Sequence, residues 1–163
     1  MTNESDNTVS QTAVDDFLTG HRIAVVGASN DPKNFAHTIY VEMKERHYDV
    51  VAVHPFDSVV DGDAAYPDLA SVPGDLDGVV VMVPPAASAE VAQQAIDRGV
   101  RRIWLFRGLG GPGAVSEEAL RRCRDHGVSV VAGACPMMFL EPVGFGHRIH
   151  RAARRHNGSL EVR

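Results

Sequence analysis

Lysine is nearly missing from this chain: Lys33 and Lys44 are the only two, and the other basic residues are arginines. Cysteine is as scarce, with Cys123 and Cys135 alone, too few for a disulfide framework and without zinc-ribbon spacing. No apolar stretch approaches the length of a membrane span. The start, Met1 to Val9, is polar and acidic, without the basic opening and apolar run of a signal peptide. A basic excess is absent too. The net charge of −5 argues against general nucleic-acid binding, because a phosphate backbone calls for a basic surface. These absences describe a soluble, cytoplasmic protein that engages neither membrane nor nucleic acid. One local departure is Arg148 to Arg155, which holds four arginines and reads either as a solvated helix face or as a phosphate contact.

What is present is a chain of 163 residues, enough for one domain with its own core. Residues 1–10 read as a disordered lead, 11–156 as a single domain and 157–163 as a tail. Val14 to Leu18 opens with a short helix. Arg22 to Val26 is a β-branched run closed by Gly27, the pattern of a fully buried strand. Phe35, Ile39 and Met43 recur at four-residue spacing with charged residues between them, predicting a helix that ends near Arg46. Val50 to Val53 is a second strand, stopped by Pro55, and the stretch Phe56 to Asp77 reads as irregular. Val79 to Val83 is the third strand. Ser88 can cap a helix from Ala89 to Arg98, ended by Gly99. Arg102 to Phe106 is the fourth strand. Ser116-Glu117-Glu118 opens a helix that contains Cys123, a small hydrophobe there, and ends at Gly127. Val128 to Val131 is the fifth strand, and Phe145 to Arg155 the final helix.

Apolar strands alternating with helices predict an α/β fold, a doubly wound five-stranded parallel sheet in the order 3-2-1-4-5. Ligands of such sheets bind beyond the strand C-termini at the switch point. That brings together the loops Gly27–Asn34 and Val83–Ser88.

The first of these loops, Gly27-Ala28-Ser29-Asn30-Asp31-Pro32-Lys33, runs from a buried strand into a helix. A helix N-terminus presents unpaired N–H groups and partial positive charge, suited to a phosphate. Gly27 lets the backbone approach a ligand, Ser29 can donate a hydrogen bond, and Lys33 stands where a phosphate would lie. The alternative is a tight turn with Gly27 as a packing residue. The dinucleotide fingerprint is lacking: one glycine stands alone, and the second strand ends in Val53-His54-Pro55, with the nearest acid, Asp57, beyond the proline.

The segments Ile23 to Ser29, Val53-His54-Pro55, Gly62 with Tyr66 and Leu69, Asp77 to Val81 with Pro84-Pro85, Gly99 to Leu105, and Gly127 to Val131 with Cys135-Pro136 form an ordered series. Together they resemble the small stand-alone coenzyme A-binding domain proteins, similar to the Rossmann-type domain of succinyl-CoA synthetase α chains. The resemblance implies a site for CoA or an acyl-CoA. Its residues would be Gly27, Ala28, Ser29 and Lys33; Val53, His54 and Pro55; Val83, Pro84 and Pro85; and Leu105, Phe106, Arg107 and Gly108. Two positions depart from the family: His54 stands where asparagine is common, and Phe106-Arg107 where glutamine often follows the tryptophan strand. Arg107 reads equally as a phosphate contact or a surface residue.

For catalysis the candidates are few. Gly108 to Gly113 is glycine-rich but lacks the Gly-Lys-Ser/Thr ending of a P-loop, and reads as a flexible loop. Cys135 follows the fifth strand and is a weak nucleophile candidate; with His147 and His150, three apart, a metal site is imaginable, but a recognisable further partner is missing. His37 is a lone histidine near the loop. The expectation is a non-catalytic binding or regulatory module with CoA as cofactor, with a homo-oligomer or a protein partner left open. The alternative is an enzyme, either an NAD(P)-binding oxidoreductase or an acyl-CoA transfer enzyme using Cys135.

Overall fold

The computed structural model describes residues 9–109 and 111–141. Most of the predicted lead, the final helix with His147, His150 and the arginines of 148–155, and the tail lie outside the described residues. The elements are α1 (Gln11–Leu18), β1 (Arg22–Val26), α2 (Phe35–Glu45), β2 (Asp49–Val53), β3 (Val59–Val60), β4 (Asp63–Tyr66), β5 (Gly78–Val81), α3 (Pro85–Asp97), β6 (Arg102–Phe106), α4 (Glu117–Asp125) and β7 (Ser129–Ala134), followed by a 3₁₀ turn at Pro136–Met138.

The α/β class with a mainly parallel sheet is observed, but strand count and order differ from expectation. Seven strands run β3-β4-β2-β1-β5-β6-β7, all parallel except β3 against β4. Counted over the five strands that the sequence predicts, the order is 2-1-3-4-5 in place of the expected 3-2-1-4-5. The cause lies in the stretch read as irregular. Asp61 and Gly62 both take positive φ, 49° and 80°, the geometry of a two-residue hairpin turn. The hairpin they close pairs β4 with the outer edge of β2, Ala52 opposite Ala65 and Val53 opposite Tyr66. With that edge covered, β5 lies on the far side of β1, Ile23 opposite Gly78. Asp77 secures this junction, its Oδ2 accepting the N–H groups of His21 and Arg22, each at 2.8 Å.

The central strands β1, β5 and β6 bury both faces. On one side Ile23, Val25, Val80 and Trp104 pack with Phe17 of α1, Ile39, Tyr40 and Met43 of α2, and Met137 to Leu140. On the other, Ala24, Val26, Val79, Val81, Ile103 and Leu105 pack with Val91, Ala92 and Ala95 of α3 and Ala119 and Cys123 of α4. This explains the continuous apolar runs, since these central strands have no wet face to alternate toward. Trp104 is fully buried, and its indole N–H donates to the Ala134 carbonyl at 2.9 Å. Burial pushes the Cys123 thiol up to about 11, as suits a packed hydrophobe.

Two helix starts moved. Ser10 caps α1, accepting from Ala13 N–H at 3.3 Å. In place of a Ser88 cap, α3 begins at Pro85, where a missing N–H costs nothing. Ser88 is fully buried inside the helix, donating to the Pro85 carbonyl and sharing a hydrogen bond with Ser116 Oγ of the α4 cap.

The hairpin is also fastened to α2. Asp63 Oδ2 accepts from Tyr40 Oη at 2.8 Å and from the Lys44 ammonium, which also reaches Asp61 at 3.0 Å. The Lys44 and Tyr40 hydrogen bonds, the lysine's first, hold the Asp63 carboxyl below the usual carboxylate range. A depressed folded-state value means that this contribution is present above about pH 4 and is lost as pH falls through the folded value. The melting temperature of Asp63→Asn should therefore lie below that of the unmodified protein at pH 7, with the gap closing as melts are repeated down to pH 3.

Candidate functional site

The β1–β5 register carries the chain to the switch point with Gly27 beside Met82. Gly27 has φ of 92°, and a β-carbon there would stand 2.5 Å from the Met82 carbonyl oxygen. Its N–H donates to the Val53 carbonyl at 2.9 Å. Glycine is therefore demanded by the close approach of the neighbouring strand, the packing role that the sequence left as an alternative. Ala28 is fully buried.

Beyond it the loop is held by its own side chains. Ser29 Oγ accepts from Asp31 N–H at 3.0 Å, Asp31 Oδ1 from Lys33 N–H at 2.9 Å, and Asn34 Oδ1, the α2 cap, from Ala36 N–H at 2.9 Å. His37, in the first half of α2, donates from Nδ1 to the Ser29 carbonyl at 2.9 Å. Asn30 uses both ends of its amide: Nδ2 donates to the Val59 carbonyl at 2.8 Å, and Oδ1 accepts from Asp61 N–H at 3.0 Å. The hairpin thus braces the loop from outside. Ser29 is half-buried, and Lys33 is exposed.

At the tip of β2, His54 does what an asparagine would do. Its Nδ1, at the same δ position as an amide oxygen, accepts from the N–H groups of Phe56 at 3.2 Å and Asp57 at 2.9 Å. The Asp57 carboxylate lies 3.7 Å from the same nitrogen, but a lone pair engaged by two donors makes no ion pair with it. Pro55 is exposed, and Val53 is buried.

Between the α2 start and the α3 start lies a cleft of about 500 Å³, lined by Lys33, Asn34, Phe35, Met82, Val83, Pro84, Pro85, Phe106, Pro112 and Gly113. It brings together Lys33, Val83, Pro84, Pro85 and Phe106 of the expected residues. Leu105 is buried in the sheet on the α3 and α4 side, Gly108 packs by the Phe106 ring, and Arg107 spends its Nε on the Gly111 carbonyl at 3.1 Å. Phe35 shares the Ile39 and Met43 spacing, yet it is 64% exposed and lines the cleft from the first position of α2. Asn34, Met82, Pro112 and Gly113 are further lining residues that periodicity and resemblance did not supply. Gly113, with φ of 61°, closes onto the end of β6 as Ala114 N–H donates to the Phe106 carbonyl at 2.7 Å.

The nucleophile candidate does not open onto this cleft's lining. Cys135 is 5% exposed and packs in the core on the α1 and α2 side. Among the described residues no group of histidine, cysteine or acidic side chains could hold a metal, and no helix is long and apolar enough to cross a membrane.

An α/β sheet with a largely apolar cleft at its switch point, one lysine at the rim and a braced strand-to-helix loop is an arrangement in which doubly wound α/β domains bind ligands. Comparison narrows the class: residues 21–141 match the CoA binding domain family, and the chain belongs to that family. It is 26% identical over 132 residues to the α subunit of the ADP-forming acetate–CoA ligase II of Pyrococcus furiosus, spanning 75% of this chain but 28% of that subunit. It is 28% identical over 114 residues to the Bacillus subtilis protein YneT, spanning 70% of this chain and 81% of that one. Among solved structures, a hypothetical protein of Pyrococcus horikoshii OT3 superimposes with a TM-score of 0.73 at 28% identity, covering 84% of this chain and 93% of that one. The apo acetyl-coenzyme A synthetase 1 of Ca. Korarchaeum cryptofilum does so at 0.61 and 26%, covering 69% of this chain and 26% of that one.

Two variants test the geometry. Gly27→Ala, forced against the Met82 carbonyl at positive φ, should cost about 2 kcal/mol or more in urea unfolding. His54→Asn should keep the stability of the unmodified protein, whereas His54→Ala should lose about 1 kcal/mol as the turn loses its acceptor.

Proposed function

We propose that the protein binds coenzyme A or an acyl-CoA across the switch point as a non-catalytic binding or regulatory module. The phosphates would lie by Ser29 and Lys33, and the ligand would extend from there into the cleft. The observation that carries this reading is the cleft between Lys33 and Pro84-Pro85 in a chain of the CoA-binding family. The ligase subunit and the synthetase that the chain resembles are named for CoA chemistry, but this chain spans only about a quarter of each. Enclosure of Cys135 in the core supports a binding role over thiol-based acyl transfer. The lack of an acid at the end of β2, where His54 and Pro55 follow Val53, speaks against a nicotinamide dinucleotide.

A ligand that binds only the folded state raises its stability by about 2.7 kcal/mol at a hundredfold excess over Kd. Saturating CoA should therefore raise the melting temperature by roughly 5–10 °C, while NAD(H) and NADP(H) leave it unmoved. Lys33→Glu should weaken CoA binding about tenfold or more, because it replaces the rim cation with a like charge to the phosphates. Mass spectrometry of natively purified protein should show a co-purified CoA species. A flat thermal response to CoA and to acyl-CoAs alike would overturn the proposal.

A further inference from the structure

Phe35 is a large apolar side chain left 64% exposed at the first position of α2. Its ring centroid lies 6.4 Å from that of Phe106, with an interplanar angle of 34°. With Met82, Val83, Pro84 and Pro85 these rings form one apolar wall of the cleft, and the polar side chains of the lining, Lys33 and Asn34, both belong to its loop rim. An apolar wall kept open at the ligand edge of a sheet marks a place where something apolar is bound.

Coenzyme A itself offers that wall little. Its phosphates belong at the lysine rim, and its pantetheine arm carries amides that need hydrogen-bond partners which the wall's side chains lack. Nor do the two rings form a slot for adenine. A sandwiched ring needs about 3.5 Å to each flanking face, roughly 7 Å in all, and tilted rings 6.4 Å apart leave less. A flexible run of methylenes lies on such a wall without any polar cost.

We propose that this wall carries the acyl chain of a CoA thioester, so that the preferred ligand is a medium-chain acyl-CoA and neither free CoA nor acetyl-CoA. The inference rests on the CoA reading above and deepens it. Phe35 and Phe106 are then the residues that set chain-length preference, and Lys33 the residue that anchors the charged end.

Calorimetric titration of the full chain with free CoA and with acetyl-, butyryl-, hexanoyl- and octanoyl-CoA tests it. Burial of a methylene strengthens binding up to about fourfold. In a cleft open on one side, about twofold or more per methylene makes octanoyl-CoA bind roughly 50-fold or more tighter than acetyl-CoA. Phe35→Ala should cut that ratio several-fold, and Phe35→Leu, which restores an apolar surface, should recover most of it. The ratio reads chain recognition, which a general loss of folding would not change selectively. Equal affinity for free CoA and every thioester would overturn the acyl assignment while leaving the CoA reading intact. Adenosine 3′,5′-bisphosphate binding as tightly as octanoyl-CoA would overturn it in favour of the nucleotide end on the wall. Absence of binding by every CoA species would overturn both readings.

Discussion

The Met82 carbonyl oxygen occupies the space in which any residue but glycine at position 27 would carry its β-carbon. That approach follows from the pairing of β1 with β5, in register from Ile23–Gly78 to Val26–Val81 and tied at its start by the Asp77 carboxylate. Everything at the ligand edge is referred to this pair. It sets the loop after β1 beside the Pro84-Pro85 start of α3, and so defines the walls of the cleft. A β-carbon at 27 would push the two strand tips apart where the loops need them adjacent. The phosphate-loop appearance of the single glycine thus has a structural origin inside the sheet.

The second support is the β3–β4 hairpin. It covers the outer edge of β2 and is fastened to α2 through Tyr40, Lys44, Asp61 and Asp63, and to the loop through Asn30. An edge strand left open invites mispairing; here the same short element closes the edge and steadies the loop. Ser29, Asp31 and Asn34 meanwhile satisfy loop and helix-start N–H groups with side chains of the chain itself. The loop is therefore formed without a ligand, which lowers the ordering cost of binding one.

Much of the fold was legible because its physics is local or periodic. Runs such as Ile23 to Val26 and Val79 to Val81 are apolar on both faces since helices cover both sides of the sheet, and a parallel sheet follows from that pattern. The Asp61-Gly62 pair between Val59-Val60 and Asp63 to Tyr66 is a recognised hairpin signal, but it stood in a stretch rich in Asp, Gly and Pro, where the strands are only two and four residues long. Passing over it led to the wrong strand order. Phe35 shows a different limit of local pattern: four-residue spacing identifies a helix face, and it does not tell which positions of that face are covered, Ile39 and Met43 being buried and Phe35 exposed.

The sequence by itself determined the alternation of strands and helices, the loop leading from β1 into α2, and the ordered motifs of a CoA-binding domain, because each is written in contiguous residues. Only the tertiary structure decided that β5 lies beside β1, that Gly27 is glycine on account of Met82, and that Phe35 and Phe106 face one cleft with Lys33 at its rim. Those relations join residues tens of positions apart. They depend on which sheet edge the hairpin covers and on which strands pair, and local propensity carries neither quantity.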